Sequence, residues 1–148
     1  MIVDLHTHTT ASDGEMSPQA LVDFAVDAGV EVLAITDHDT VSGGQVAADY
    51  LSARALPLRL ISGVELSCRW SGATIHVLGL NIDPGNEVLV AGLRTQAEAR
   101  EKRAQKIAAR LQRAGFEGAL EGARQYAGSD YIGRPHFARY MEIGRAHV

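Results

Sequence analysis

The chain has 148 residues, of which 46% are apolar and 22% charged, and it carries a net charge of −4 at pH 7. That is about one domain's worth of chain, and no apolar run approaches the ~20 residues needed to span a bilayer. No basic segment leads into an apolar stretch at the N-terminus, so no signal peptide is expected. The single Cys68 excludes an internal disulfide and fits a reducing compartment, which makes the cytoplasm the expected location.

Residues 2–6 read as a short buried strand. Ser17 and Pro18 then open a helix as N-cap and first helical position. Leu21, Val22, Phe24, Ala25 and Ala28 give it an apolar face, and Gly29 ends it. Residues 30–35 form a second strand and residues 43–55 an alanine-rich second helix. Pro57 breaks the pattern before a third strand at 58–65. Alternating strands and helices predict a parallel sheet or barrel. Residues 66–70 and 73–80 flank Ser71-Gly72 and read as a hairpin. After Asn86 a long helix runs to Ala114, with Ile107, Ala108, Leu111 and Ala114 on one face. Shorter helices are expected at 119–126 and after Pro135. No internal repeat or low-complexity linker interrupts the chain.

The chemistry concentrates where strands end. His6 and His8 lie two apart, so an extended backbone points both imidazoles to one side. Asp13, His38 and Glu65 follow later strands or loops, and His76 sits inside another apolar run. In β/α architectures active groups gather at the C-terminal ends of parallel strands. Glu65, at the end of a strand of its own, offers two oxygens that bridge two ions. Mixed imidazole and carboxylate ligands suit manganese, iron or zinc better than calcium or magnesium. Such ions lower the pKa of a bound water and neutralise a transferring phosphoryl group. Residues 94–113 carry seven Lys and Arg against Glu98 and Glu101, a local +5 that leaves −9 for the rest. A basic helix beside an acidic centre suits an anionic substrate such as a phosphate ester, although charge runs are more often solvated faces.

Asp4-Leu5-His6-Thr7-His8, Ser12-Asp13-Gly14, Thr36-Asp37-His38-Asp39, Gly63-Val64-Glu65 and His76-Val77-Leu78-Gly79 closely resemble the PHP (polymerase and histidinol phosphatase) family. Within it, the chain looks most like the nucleoside 3′,5′-bisphosphate phosphatase and 5′-to-3′ exoribonuclease group. Residues Gly133 to Arg139 resemble part of that group's helical insertion. The resemblance implies an α/β fold, a distorted seven-stranded β/α barrel holding up to three divalent ions, with manganese favoured. Residues 1–85 would be the N-terminal part of the barrel and residues 86–142 the helical insertion. By the same resemblance, His6, His8 and Glu65 hold one ion, His76 supports a second, and Asp13 and His38 serve a third. Asp37 would orient a histidine, and Arg134 and His136 would lie near a substrate phosphate. The implied reaction is hydrolysis of a phosphate ester by a hydroxide bridging the metals. The implied substrates are small phosphorylated nucleotides or the 5′ ends of short RNAs, with no membrane partner.

The family places a further histidine and a late Asp-x-His pair beyond residue 148, and this chain has no counterpart to them. The last strands of the barrel are therefore expected to be missing and the chain itself to have little activity. Residues 143–148 are also the translation of ATC GGA AGA GCA CAC GTC, a common sequencing-adaptor string, so an artefactual tail is expected there. Resequencing the locus tests this, and a genomic stop codon after Val148 overturns it. A histidinol-phosphate phosphatase is the alternative within the family, disfavoured by the segment around Gly133. A non-catalytic module binding metal or nucleic acid is the alternative outside it, with the basic helix against phosphate backbone.

Overall fold

The computed structural model describes residues 1–129 and 131–145 of the chain; His147, with the rest of 146–148, lies outside them. The elements are β1 (Val3–Thr7), α1 (Pro18–Asp27), β2 (Val32–Ile35), α2 (Ser42–Arg54), β3 (Arg59–Trp70), β4 (Ala73–Leu80), α3 (Glu87–Arg113), α4 (Ala119–Tyr126) and α5 (Arg134–Arg145). The strands form one curled sheet, a half-barrel in the order β1-β2-β3-β4. β1, β2 and β3 run parallel, joined by helical crossovers, and β4 returns antiparallel to β3.

Local chemistry sets most element ends. The Ser17 hydroxyl accepts the Ala20 N–H at 3.1 Å and Pro18 follows it, as the cap pattern predicts. The Asn86 side chain accepts from Val88 N and Leu89 N, each at 3.1 Å, and starts α3. Ser71 (φ 48°) and Gly72 (φ 84°) close the β3–β4 hairpin. Both central residues of that two-residue turn are left-handed, the conformation that matches strand twist and that glycine adopts without cost.

One strand differs from expectation. β3 does not end at Glu65 but runs on unbroken to Trp70. Its first part pairs with β2 from Arg59 to Ser62, and from Gly63 onward it pairs with β4. β2 ends sooner, so beyond Ile35 only an isolated bridge from His38 reaches Glu65. Glu65 thus stands in mid-strand, at a point where β2 has already ended.

Among the described residues there are two apolar clusters. In one, Val22 and Ala25 of α1 and Ala47 and Leu51 of α2 pack on Leu33 and Ile35 of β2. In the other, Ala104 of α3, Ala119 and Ala123 of α4 and Phe137 of α5 enclose Ile132, with Ile107, Ala108 and Leu111 alongside. The i, i+3, i+4, i+7 spacing of the α3 residues is the stripe that a helix presents to a core. The outer strands are exposed over most of their length, including Ile75 and Val77 on β4. No helix among the described residues is long and apolar enough to cross a membrane.

Candidate metal centre

Glu65 is the hub. Its side chain is only 9% exposed, and His6 Nε2 lies 2.9 Å and His8 Nε2 3.1 Å from Oε2. His38 Nδ1 is 3.6 Å from the same oxygen, and His76 Nδ1 is 3.4 Å from Oε1. Asp13 closes the cluster from the other side, 3.6 Å from His8 Nδ1 and 3.8 Å from His38 Nε2. The elements explain the convergence. His6 lies on β1 and His8 just past its end, the stretch after β2 delivers His38, and β3–β4 pairing puts His76 opposite Ser67, two residues along from Glu65.

Three overlapping groups follow: His6, His8 and Glu65; His8, Asp13 and His38; His38, Glu65 and His76. Within each, the donor atoms lie within 4.8 Å of one another. Most separations near 3.5 Å are too long for good hydrogen bonds. They suit an ion held at ~2.1 Å by tetrahedral ligands, whose donor atoms stand about 3.4 Å apart. Buried polar atoms normally find partners, yet the buried His8 Nδ1 and His38 Nδ1 have no hydrogen bond. These unpaired nitrogens and the donor set fit divalent transition-metal ions.

Electrostatics point the same way. Burial lowers the His38 pKa, outweighing the carboxylates of Asp13 and Glu65, so its ring is neutral and ready to ligate at neutral pH. Burial acts to raise Glu65, but the His6 hydrogen bond and the charges of His38, His6 and His8 hold it below the usual carboxylate value.

Asp37 supports the centre differently from the expected contact to a histidine. Its Oδ1 accepts from Thr9 N (2.7 Å) and Ser12 Oγ (2.6 Å), and its Oδ2 accepts from Thr9 Oγ1 (2.7 Å). All three residues are buried. Asp37 therefore pins the loop between His8 and Asp13, so it acts on those two residues through the backbone.

A cleft of about 260 Å³ opens over Asp13, His38 and His76 and is lined by Arg100, Arg103, Tyr131 and Arg134. Arg134 thus lines the same cleft as three of the clustered residues. His136 does not line the cleft. It is 4% exposed, accepts the Gly133 N–H on Nδ1 (3.0 Å) and meets the Tyr131 ring edge-on at 6.2 Å. Burial keeps its pKa below the ordinary value, and burial also pushes the Tyr131 phenol up to about 12. Arg100, Arg103 and Tyr131 were not singled out from the sequence. The basic run marks the right helix, but only packing shows which of its cations line the cleft.

Comparison with known proteins gives the chain's relatives. The chain is 48% identical over 147 residues to the 5′-3′ exoribonuclease Rnm of Escherichia coli, covering 99% of this chain and 50% of that protein. It is 39% identical over 140 residues to the 3′,5′-nucleoside bisphosphate phosphatase of Chromobacterium violaceum, covering 94% of this chain and 48% of the other. An amidohydrolase structure from C. violaceum with bound sulfate and no metal superimposes with a TM-score of 0.89 at 37% identity, over 99% of this chain and 51% of that one. The chain thus spans about half the length of the curated relatives it matches. The PHP domain model matches residues 4–121, so the chain belongs to the PHP domain family.

Proposed function

We propose that this chain carries most of the metal centre of a phosphoesterase acting on nucleoside 3′,5′-bisphosphates or on the 5′ ends of short RNAs. One observation carries the reading: three ligand groups share Glu65, His8 and His38 beneath a cleft lined by Arg100, Arg103 and Arg134. His6, His8, Asp13, His38, Glu65 and His76 are the ligands in this reading, with manganese the favoured ion. Divalent ions bound there supply a water acidic enough to attack at neutral pH and offset charge on the phosphoryl oxygens.

The chain's own residues then bind and orient. Arg103 and Arg134 offer planar guanidinium donors to phosphate oxygens. Tyr131, with its pKa near 12, stays a phenol at neutral pH and accepts a hydrogen bond from Arg100 at 2.8 Å. The relatives' names, one for an exoribonuclease and one for a bisphosphate phosphatase, support both substrate classes. The chain alone is expected to turn over slowly. His6 and His76 are 54% and 43% exposed, so the centre is open to solvent on two sides.

The test follows phosphate release from adenosine 3′,5′-bisphosphate and nucleotide release from a 5′-phosphorylated oligoribonucleotide, with manganese. It uses this chain and the protein expressed from the resequenced gene. In the latter, His6→Ala should abolish turnover and Arg134→Ala should mainly raise KM. No turnover of either substrate by that protein refutes the assignment, and robust turnover by the 148-residue chain refutes the view that it is nearly inactive.

A further inference from the structure

One buried network lies outside the ligand set, yet it is joined to the centre through the backbone. Asp39 follows His38 directly and is held in the left-handed region at φ 52°, uncommon for any residue but glycine and concentrated at functional sites. Its N–H donates to Glu65 O at 3.0 Å, and its Oδ1 accepts from Ser67 N at 2.7 Å. Asp39 is therefore clamped to the strand segment that carries Glu65. Its other oxygen, Oδ2, accepts from Arg100 Nε at 2.7 Å, and a second guanidinium nitrogen also touches it. The same guanidinium donates to Ser67 Oγ (2.7 Å) and Tyr131 Oη (2.8 Å) and lies 4.4 Å over the Tyr131 ring. That ring is parallel to His38 within 10°, at 6.4 Å. The pair is deeply buried, with side-chain exposures of 1% for Asp39 and 14% for Arg100.

The geometry points to Arg100 as a positioning residue that couples the seating of helix α3 to the metal centre, through Asp39 to His38 and Glu65 and through Tyr131 to the cleft wall. This rests on the metal-centre reading above. Arg100 reaches the ion ligands only through other groups, and a forked donor is needed because three acceptors lie in different directions. Removing it leaves the Asp39 carboxylate buried and unpaired beside a strained backbone, which should rotate His38 away from Asp13 and Glu65.

Two effects oppose each other in sign, and this makes the idea testable. By simple Coulomb attraction, deleting a cation beside the centre strengthens binding of a divalent cation. Loss of positioning weakens it, typically by 10-fold or more for groups that hold metal ligands. Mn²⁺ affinity of this chain is measured by the loss of the free-ion EPR signal, at a temperature where each variant is folded by circular dichroism. Arg100→Ala should bind Mn²⁺ about 10-fold more weakly. Arg100→Lys keeps the charge but loses the fork, and should weaken binding several-fold. The double variant Asp39→Asn/Arg100→Ala should recover most of the loss, because asparagine tolerates positive φ and leaves no buried charge. Val22→Ala, in the distant core, should lower stability without changing affinity. Unchanged or tighter binding in both Arg100 variants overturns the proposal while leaving the metal centre intact. Failure of the unaltered chain to bind Mn²⁺ overturns the metal-centre reading and the coupling with it.

Discussion

At the scale of single residues, the cluster around Glu65 depends on groups outside it. Three donors converge on Asp37, and removing the carboxylate would leave the buried Thr9 N–H without a partner. Asp37→Ala should therefore cost about 3 kcal/mol or more, read as a lower urea midpoint, and should weaken Mn²⁺ binding by freeing the loop between His8 and Asp13. His136 makes the second case. Burial holds its folded pKa below the ordinary value, so the unfolded chain takes up the proton first as pH falls. The stability owed to neutral His136 is present above about pH 6.5 and is lost as pH falls below it. Denaturation between about pH 7 and 5 should show this slope, and His136→Asn, which keeps an acceptor for Gly133 N–H, should flatten it. An unchanged slope in that variant would assign the effect elsewhere.

At the scale of elements, caps and stripes decide what forms. Ser17→Ala removes the only side-chain cap of α1 and should cost about 1 kcal/mol in thermal or urea unfolding. Helices α4 and α5 pack closely enough that a Cβ on Gly122 would run into the Tyr140 ring. Gly122→Ala should accordingly destabilise by roughly 1–3 kcal/mol despite the better helix propensity of alanine; a gain in thermal stability would contradict this packing. Most elements were legible in the sequence because their signals are local: Ser17-Pro18, Asn86, the Ser71-Gly72 turn and the apolar stripe of α3. The length of β3 was not. A strand that changes partner halfway shows no break in its own composition, and Leu66 to Trp70 looked like a fresh start after Glu65.

At the scale of the molecule, the half-barrel sheet leaves its two outer strands exposed among the described residues. Ile75 and Val77 lie on one face of β4 at 41% and 46% exposure. Open apolar edges invite pairing with other chains. The isolated chain should self-associate as concentration rises, and Ile75→Lys with Val77→Lys should reduce this in light scattering. A monodisperse monomer at high concentration would count against it.

The sequence by itself determined the family and marked the histidines and carboxylates that converge around Glu65, because short motifs are written in local spacing. It also determined that a basic helix exists. Only the tertiary structure decided that Asp37 grips Thr9 and Ser12 and that His136 is buried beside Tyr131. The same holds for Arg100 reaching across to Asp39. The Asp37 and Arg100 pairings join residues 25 to 61 positions apart, and such distances are closed by packing of helices on the sheet, which no local pattern encodes.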